Sequence, residues 1–311
     1  MKKIIYLAGP TATGKTALSL KIANEYGGEI VSCDSMQIYR SLDVGTAKPT
    51  AEERCSAPHW MLDILDPDQT YSVYDYVKNA SSIITGIQER GALPIVCGGT
   101  GLYMSALLHD HEYTDLSADA DLHERIDSDY LSPGGPERLL DEIRSVNPEH
   151  AGKLFPNDRK RIVRAVELLR MTGSTYSFRL DSLDQAEHPD RICVLLSATE
   201  RSFLYDRINR RVDAMMENGL LDEAEVVFQN RVSYRTAAAA IGYKEFFPFF
   251  EGNSSLQECV DDLKKATRHY AKRQLTWFRK EKEFVPVFID QYDADGLYAA
   301  VKEILEKGLS T

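Results

Sequence analysis

The stretch YLAGPTATGKTALSL, residues 6–20, decides the fold of this chain. It fits the pattern G-x-x-x-x-G-K-[ST], with Gly9, Gly14, Lys15 and Thr16 in register. A short apolar run precedes the first glycine, and a helical pattern begins at the lysine. A glycine-rich turn between a strand and a helix holds phosphate oxygens through its backbone N–H groups and the helix N-terminus. The stretch therefore predicts a buried strand, a phosphate-binding loop and a helix.

The loop specifies a phosphate chain but not the group attached to it. Lys15 adds a mobile positive charge, and the Thr16 hydroxyl is a suitable ligand for Mg²⁺. These groups recognise a diphosphate or a triphosphate and do not distinguish ATP from another donor. We expect magnesium as the cofactor, with Thr16 as its protein ligand. The predicted diphosphate-binding residues are Gly9, Pro10, Thr11, Ala12, Thr13, Gly14, Lys15 and Thr16.

Strand and helix patterns alternate along the first third of the chain. Short apolar runs indicate strands at KKIIYLA, EIVSC, HWMLDIL and LPIVCGG, and RICVLLSA at 191–198 indicates another. Helical patterns lie between them at KTALSLKIANEY and VYDYVKNASSIITGIQERG. Strands that are apolar throughout are typical of a parallel sheet covered by helices on both faces. The predicted fold class is α/β, with a P-loop NTPase-like parallel sheet flanked by helices, and with mostly helical chain after residue 201.

The middle of the chain lacks strand patterns. Ser117 and Asn157 are candidate N-caps for two helices there. This predicts an inserted all-helical subdomain of residues 114–190 within a core of residues 1–113 and 191–311.

The charge distribution points to RNA in spite of the net charge. The 311-residue chain carries a net charge of −11, yet residues 157–170 carry +3 and residues 264–282 carry +7. An RNA partner needs a local basic surface rather than a basic protein. Two solvated helix faces would explain the same windows. No apolar run reaches the roughly 20 residues of a membrane span, and the five cysteines are scattered, so we expect no membrane partner and a cytoplasmic protein.

Acidic residues near the strand ends bear on the type of reaction. A kinase or ATPase needs a strand-end acid for its metal, but LPIVCGGTGLY offers none. Asp63, in the predicted strand HWMLDIL, could serve there or simply face solvent. Asp34 follows the strand EIVSC, where it could be a helix N-cap or a base or metal ligand facing a substrate. Its position alone leaves both roles open.

Eight blocks together resemble one enzyme family. In order they are GPTATGKT, DSMQIYR, GTAKP, DILDPDQTYSVYDY, GGTGLY, NDRKRIVRAVE, AIGYKE and YAKRQLTWFR. In this order they resemble the bacterial type of tRNA dimethylallyltransferase, from residue 4 to about residue 285. The resemblance implies that the loop binds dimethylallyl diphosphate rather than ATP. The five-carbon group would pass to the exocyclic amine of the adenine 3′ of a tRNA anticodon, and pyrophosphate would leave.

The resemblance also implies roles for residues outside the loop. Asp34 corresponds to the base that accepts the proton of the amine, and Arg207 and Arg211 resemble the arginines of the leaving group. Together with Lys15 and Thr16 these are the expected catalytic residues. Contacts to tRNA are expected from Asp34, Ser35, Met36, Gln37, Thr100, Arg159, Arg161, Arg164, Lys272, Arg273 and Arg279.

The second basic window predicts a helix with one face in the core. Leu263, Tyr270 and Trp277 are seven residues apart and are expected to form that face. The basic residues would then face the anticodon stem-loop of tRNA, and we expect the chain to act as a monomer. Two alternatives remain at this point: an ATP-dependent kinase for a small molecule or nucleoside, and a non-catalytic RNA-binding protein.

Overall fold

The phosphate-binding stretch lies at the centre of a six-stranded parallel sheet. The computed structural model describes residues 3–109, 119–175, 188 and 190–310. The sheet order is β3-β2-β4-β1-β5-β6, and each neighbouring pair is parallel. The strands are β1 (Ile4–Ala8), β2 (Gly28–Cys33), β3 (His59–Trp60), β4 (Leu93–Gly98), β5 (Arg191–Ser197) and β6 (Val285–Phe288).

Helices connect the strands and continue beyond them. In the first part of the chain they are α1 (Lys15–Tyr26), α2 (Ala51–Ser56), α3 (Val73–Glu89) and α4 (Gly101–Leu108). In the middle they are α5 (Ala120–Leu131), α6 (Gly135–Val146), α7 (Pro148–Ala151) and α8 (Arg159–Thr172). The last group is α9 (Arg201–Glu217), α10 (Leu220–Gln229), α11 (Arg235–Ala238), α12 (Phe247–Phe250), α13 (Leu256–Phe278) and α14 (Ala294–Leu309). Two 3₁₀ turns cover Lys244–Phe246 and Ile289–Gln291.

The sheet is buried on both faces. Successive residues of a strand point to opposite sides, so Ile5 and Leu7 pack with α1 and α14, whereas Tyr6 and Ala8 pack with α3 and α4. This explains why the central strands are apolar throughout rather than alternating. The fold class and the strand–loop–helix start of the chain are confirmed.

The chain divides into two compact units. One comprises Met1–Leu108 and Ala186–Thr311, and the other comprises His109–Gln185. In the second unit, α5, α6 and α8 pack around buried residues that include Ile126, Ile143 and Ile162. The described part of this unit contains helices and no strand.

Several local expectations differ from the structure. The predicted strand HWMLDIL is a strand at His59–Trp60 only, and β6 was not expected. β6 is an edge strand containing Pro286, and proline in a short apolar run conceals a strand of this kind. Asn157 is not the cap of α8, because that helix begins after Asp158. Ser117 lies outside the described residues.

None of the helices in the described part of the chain combines the length and the apolar composition that crossing a membrane requires.

Candidate active site

Three strand ends meet at one edge of the sheet. The loops after β1, β2 and β4 leave the carboxyl ends of adjacent strands, where open α/β sheets bind ligands. The loop of residues 9–14 follows β1 and ends at the first turn of α1. Its backbone has left-handed residues at Ala12 (φ 65°) and Gly14 (φ 90°). A Cβ at Gly9 would stand 2.7 Å from the carbonyl oxygen of Leu196, so the approach of β5 requires glycine there.

Lys15 folds back over this loop. Its Nζ donates to the Pro10 carbonyl oxygen at 2.7 Å, and the Thr13 hydroxyl donates to the same oxygen at 2.8 Å. The pKa of Lys15 is lowered to about 8: burial is the main cause, Cys97 and Asp34 oppose it, and the nearby Arg211 acts in the same direction as burial. An ammonium held in this way loses part of its hydration before a ligand arrives. An anion in the loop would stabilise its charged form.

The two predicted leaving-group arginines lie on one side of α9. Arg207 donates from Nε to the Ala12 carbonyl oxygen at 2.7 Å, so it braces the loop from outside. Arg211 lines the cavity, and burial lowers its pKa, opposed by the negative charge of Asp34. Among the described residues, Arg211 has no ion-pair or hydrogen-bond partner. A desolvated guanidinium of this kind is suited to an anionic ligand.

Asp34 stands at the end of β2 in a turn rather than before a helix. Its Oδ1 accepts a hydrogen bond from the Met36 backbone N–H at 2.9 Å. Its other carboxylate oxygen has no hydrogen-bond partner within the described part of the chain. The N-cap interpretation is therefore wrong: the carboxylate stabilises a local turn through one oxygen and presents the other to the cavity that it lines.

The exits of β2 and β4 are locked to each other. The Thr100 N–H donates to the Cys33 carbonyl oxygen at 3.1 Å, and the Ser35 N–H donates to the Thr100 hydroxyl at 3.0 Å. A Cβ at Gly98 would overlap the Cys33 carbonyl group, so only glycine permits this approach. Thr100 and Ser35 therefore lie together beside Asp34.

Gln37 is held by the loop that contains Thr46 and Ala47, for which the sequence predicted no role. Its Nε2 donates to the carbonyl oxygens of Thr46 and Ala47 at 3.2 and 3.3 Å, and its Oε1 accepts from Ser32 at 2.9 Å. Glu223 of α10 anchors the start of this loop, because its carboxylate accepts three consecutive backbone N–H groups, those of residues 43–45, at 2.7–2.9 Å. Glutamates in the first turn of a helix are too common for sequence to single this one out.

Asp63 is not a strand-end metal acid. It lies outside β3 with φ 55°, and its carboxylate accepts from Lys48 at 2.5 Å and from Arg54 at 2.6 Å. Burial alone would raise the pKa of Asp63, but these hydrogen bonds outweigh it and hold the pKa below its usual range. The Lys48 side chain is 1% exposed and also pairs with Asp43 at 2.7 Å. The role of Asp63 is to compensate a buried lysine.

Helix α13 turns a different face to the core than predicted. Leu263 is buried, but Tyr270 is half-buried at the cavity wall and Trp277 is 42% exposed. The predicted face is wrong because an α-helix drifts by about 20° per seven residues, so a strict seven-residue spacing leaves the buried stripe. The buried positions near its end are instead Ala271, Gln274 and Phe278. The buried Gln274 was not predicted, because a glutamine inside a basic window looks like part of the solvated face.

These elements enclose a cavity of about 730 Å³. The phosphate loop and Arg211 line one part of its wall, and Asp34 to Gln37 line another. The Thr16 hydroxyl also faces it, and no residue in the described ranges donates to or accepts from that hydroxyl. The cavity is large enough for a prenyl diphosphate and a nucleobase together.

The predicted cations for tRNA have different environments. In the second unit, Arg159 forms a forked pair with Asp127, Arg161 lies 3.5 Å from Asp158, and Arg164 lies 3.0 Å from Glu167. By contrast, Lys272 and Arg273 on α13 and Arg279 at its C-cap, the cations predicted to contact tRNA there, are exposed. Arg273 also lines the cavity and lies 5.5 Å from the centre of the Tyr270 ring.

Comparison with known families gives a consistent match. The family model described as IPP transferase matches residues 37–281, and the one described as Isopentenyl transferase matches residues 2–63. The tRNA dimethylallyltransferase of Halalkalibacterium halodurans is 40% identical over 294 residues, or 94% of this chain and 93% of that protein. The enzyme of the same name from Bacillus cytotoxicus is 43% identical over 282 residues, or 91% of this chain and 89% of that protein.

Solved structures agree with the sequence matches. The full-length tRNA isopentenylpyrophosphate transferase of Bacillus halodurans has a TM-score of 0.73 and 39% identity, covering 100% of this chain and 97% of that chain. A eukaryotic dimethylallyltransferase acting on tRNA has a TM-score of 0.76 and 26% identity, covering 99% of this chain and 80% of that chain.

Proposed function

This chain belongs to the IPP transferase family and transfers a dimethylallyl group to tRNA, and from that premise we propose how its cavity carries out the transfer. The donor is dimethylallyl diphosphate, and its diphosphate occupies the loop of residues 9–16. The acceptor is the exocyclic amine of the adenine immediately 3′ of the anticodon.

One observation carries this proposal: a phosphate loop, an arginine without a partner among the described residues, and a carboxylate with one oxygen unbound among them line the same cavity. Lys15 and Arg211 supply positive charge, and Asp34 supplies the negative charge. A transfer reaction that releases pyrophosphate needs cations at the leaving group and a proton acceptor at the nucleophile. The arrangement meets both needs within one cavity.

The cations act on the leaving group. As the bond between the allylic carbon and the diphosphate oxygen breaks, both electrons go to that oxygen and its negative charge grows. Lys15, Arg211 and the loop amides stabilise this charge in a partly desolvated site, where such interactions are stronger than in water. Arg207 supports the loop through the Ala12 carbonyl oxygen.

Asp34 acts on the nucleophile. The lone pair of an adenine amine is delocalised into the ring, so the amine attacks poorly unless its proton is taken up as the carbon–nitrogen bond forms. Asp34 accepts that proton on the oxygen that is not bound to Met36. General-base assistance of this kind contributes about 10²–10⁴-fold. Ser35 and Thr100 lie beside it for contacts with the base, and the products are the prenylated adenine and pyrophosphate.

Magnesium fits the donor set. The Thr16 hydroxyl is a hard oxygen ligand at the cavity wall and would hold the ion together with oxygens of the diphosphate. When bound, the ion neutralises charge on the leaving diphosphate.

The tRNA must be gripped outside the cavity, because an adenine stacked in a loop reaches an enclosed site only when it is extruded. The exposed Lys272 on α13, Arg279 at its C-cap and Arg273 at the cavity wall suit contacts with phosphates, as do Arg159, Arg161 and Arg164 on α8 once their acidic partners are displaced. We propose that the chain acts as a monomer. The free cysteines suit the reducing cytoplasm.

The kinase alternative is not favoured. The relatives and solved structures bear names of tRNA prenyltransferases, and the exit of β4 is Gly98–Gly101 without an acid for a metal–nucleotide complex.

The test is a transfer assay with purified protein, Mg²⁺, dimethylallyl diphosphate and an unmodified tRNA that has adenine 3′ of its anticodon. Mass spectrometry of the digested tRNA should show one prenyl group on that adenine and none on a matched tRNA with guanine at the position. ATP in place of the prenyl donor should give no phosphorylated nucleoside. A prenyl adduct on another base, or transfer from ATP, would contradict the proposal.

A further inference from the structure

We infer that Gln274 is a positioning residue that fixes the phosphate loop relative to Asp34, an inference that rests on the function proposed above. Gln274 is only 5% exposed and belongs to α13, far in sequence from both sides of the site. No chemical step requires a glutamine there. Its side chain nevertheless joins the two halves of the cavity wall.

The two ends of the Gln274 amide have different partners. Its Oε1 accepts from the Thr11 backbone N–H at 3.1 Å, and its Nε2 donates to the Gly99 carbonyl oxygen at 2.8 Å. The orientation of the amide is fixed by chemistry, because an N–H needs an acceptor and a carbonyl needs a donor. A reversed amide would lose both bonds.

Each contacted peptide group is also held at its other end. The Pro10 carbonyl, which shares a peptide group with the Thr11 N–H, accepts from Lys15 and Thr13. The Thr100 N–H, which shares a peptide group with the Gly99 carbonyl, donates to Cys33, the residue before Asp34. A continuous set of hydrogen bonds therefore runs from Lys15 through Gln274 to the strand end that carries Asp34.

The close approach of Gln274 to β4 leaves no room for a side chain at Gly99. A Cβ at Gly99 would overlap Nε2 of Gln274, whereas the next neighbour, the Gly9 carbonyl oxygen, would lie 3.3 Å away. Gly99 is thus matched to Gln274. An alanine at residue 99 becomes acceptable once the glutamine side chain is shortened.

The position of Gln274 predicts an effect on the rate of transfer rather than on tRNA binding. A displacement of about 1 Å between reacting groups can lower a rate about 10²-fold. Removing the amide also leaves the half-buried Thr11 N–H and the buried Gly99 carbonyl without this partner. We expect Gln274→Ala to lower the single-turnover rate constant about 10- to 100-fold and to change the Kd for tRNA by less than about twofold.

The experiment combines four proteins in a cycle: wild type, Gln274→Ala, Gly99→Ala and the double variant. Single-turnover transfer, tRNA binding and thermal unfolding are measured for each. Gln257→Ala is the matched control, because it removes an exposed glutamine from the same helix, and it should behave as wild type. Gly99→Ala should lower both the rate and the Tm in the wild-type background, and should add little to Gln274→Ala.

The outcomes separate the two proposals. Wild-type single-turnover rates in Gln274→Ala would overturn the inference, as would an equal cost of Gly99→Ala in both backgrounds or a loss confined to tRNA binding. Wild-type protein that transfers no prenyl group would instead contradict the proposed function. In that case the unfolding cycle still reports whether Gln274 and Gly99 are matched.

Discussion

Lys15 should make the reaction slower at pH values at which an ordinary lysine is still almost fully charged. Burial lowers its pKa from 10.5 to about 8 in the ligand-free protein. The ammonium is then about nine-tenths charged at pH 7 and about one-tenth charged at pH 9. Since kcat/KM reports the free enzyme, we expect kcat/KM for dimethylallyl diphosphate to fall about tenfold between these two values. The bound diphosphate raises the pKa of Lys15, so kcat should fall less.

The control for this prediction is Lys15→Arg, whose guanidinium stays charged throughout the range. Its activity should be lower but nearly constant from pH 7 to 9. The measurement is the apparent second-order rate with tRNA and prenyl donor both well below their KM, where the free enzyme predominates, and kcat is measured with both saturating. A profile of the same shape in wild type and Lys15→Arg would refute the assignment, because the titrating group would then lie elsewhere.

The lowered pKa of Lys15 affects stability in the opposite direction: activity falls as the pH rises, but the contribution of this lysine to the free energy of unfolding increases. Between pH 8 and 10.5 the lysine binds a proton in the unfolded chain and not in the folded one, so its contribution to the free energy of unfolding rises with pH. Urea unfolding of wild type and Lys15→Met at pH 7 and pH 10 measures this. The wild-type value should gain relative to the variant at pH 10, and a relative loss there would contradict the argument.

Three further substitutions test other parts of the structure. Asp34→Asn keeps an oxygen for the Met36 N–H, so we expect kcat to fall about 10²–10⁴-fold with unchanged Tm; a lowered Tm with nearly full activity would identify a structural role. Asp63→Ala should lower the free energy of unfolding by about 2 kcal/mol, because it removes a partner of buried Lys48, whereas Asp66→Ala, at an exposed pair, should cost less than about 1 kcal/mol. Replacing Arg161 and Arg164 by glutamine should reduce the slope of log K for tRNA binding against log salt concentration by about 1.4. An unchanged slope would show that these α8 residues do not contact the tRNA phosphates.

The parts of the site that depend on residues close together in the chain could be predicted from the sequence. The phosphate loop is one continuous stretch whose glycines, lysine and hydroxyl serve the same ligand, so its pattern can be read directly. The central strands are apolar because helices cover both faces of the sheet, and this too is a local signal. Asp34 could be selected as a candidate from its place after a strand, although its turn geometry could not.

The roles of Gln274, Glu223 and Asp63 were decided only by the tertiary structure. Gln274 contacts peptide groups 263 and 175 residues away in the chain, and Glu223 contacts backbone N–H groups about 180 residues away. Nothing in the local pattern of a helix reveals which distant backbone groups its polar side chains will meet. For the same reason Asp63 could be read as a metal ligand until the buried Lys48 was seen beside it. The sequence by itself determined the phosphate loop and the class of fold, because both follow from periodicity and short spacing. The arrangement of the loop around Asp34 depended on packing between remote segments, since hydrogen bonds over such separations form only when the whole chain has folded.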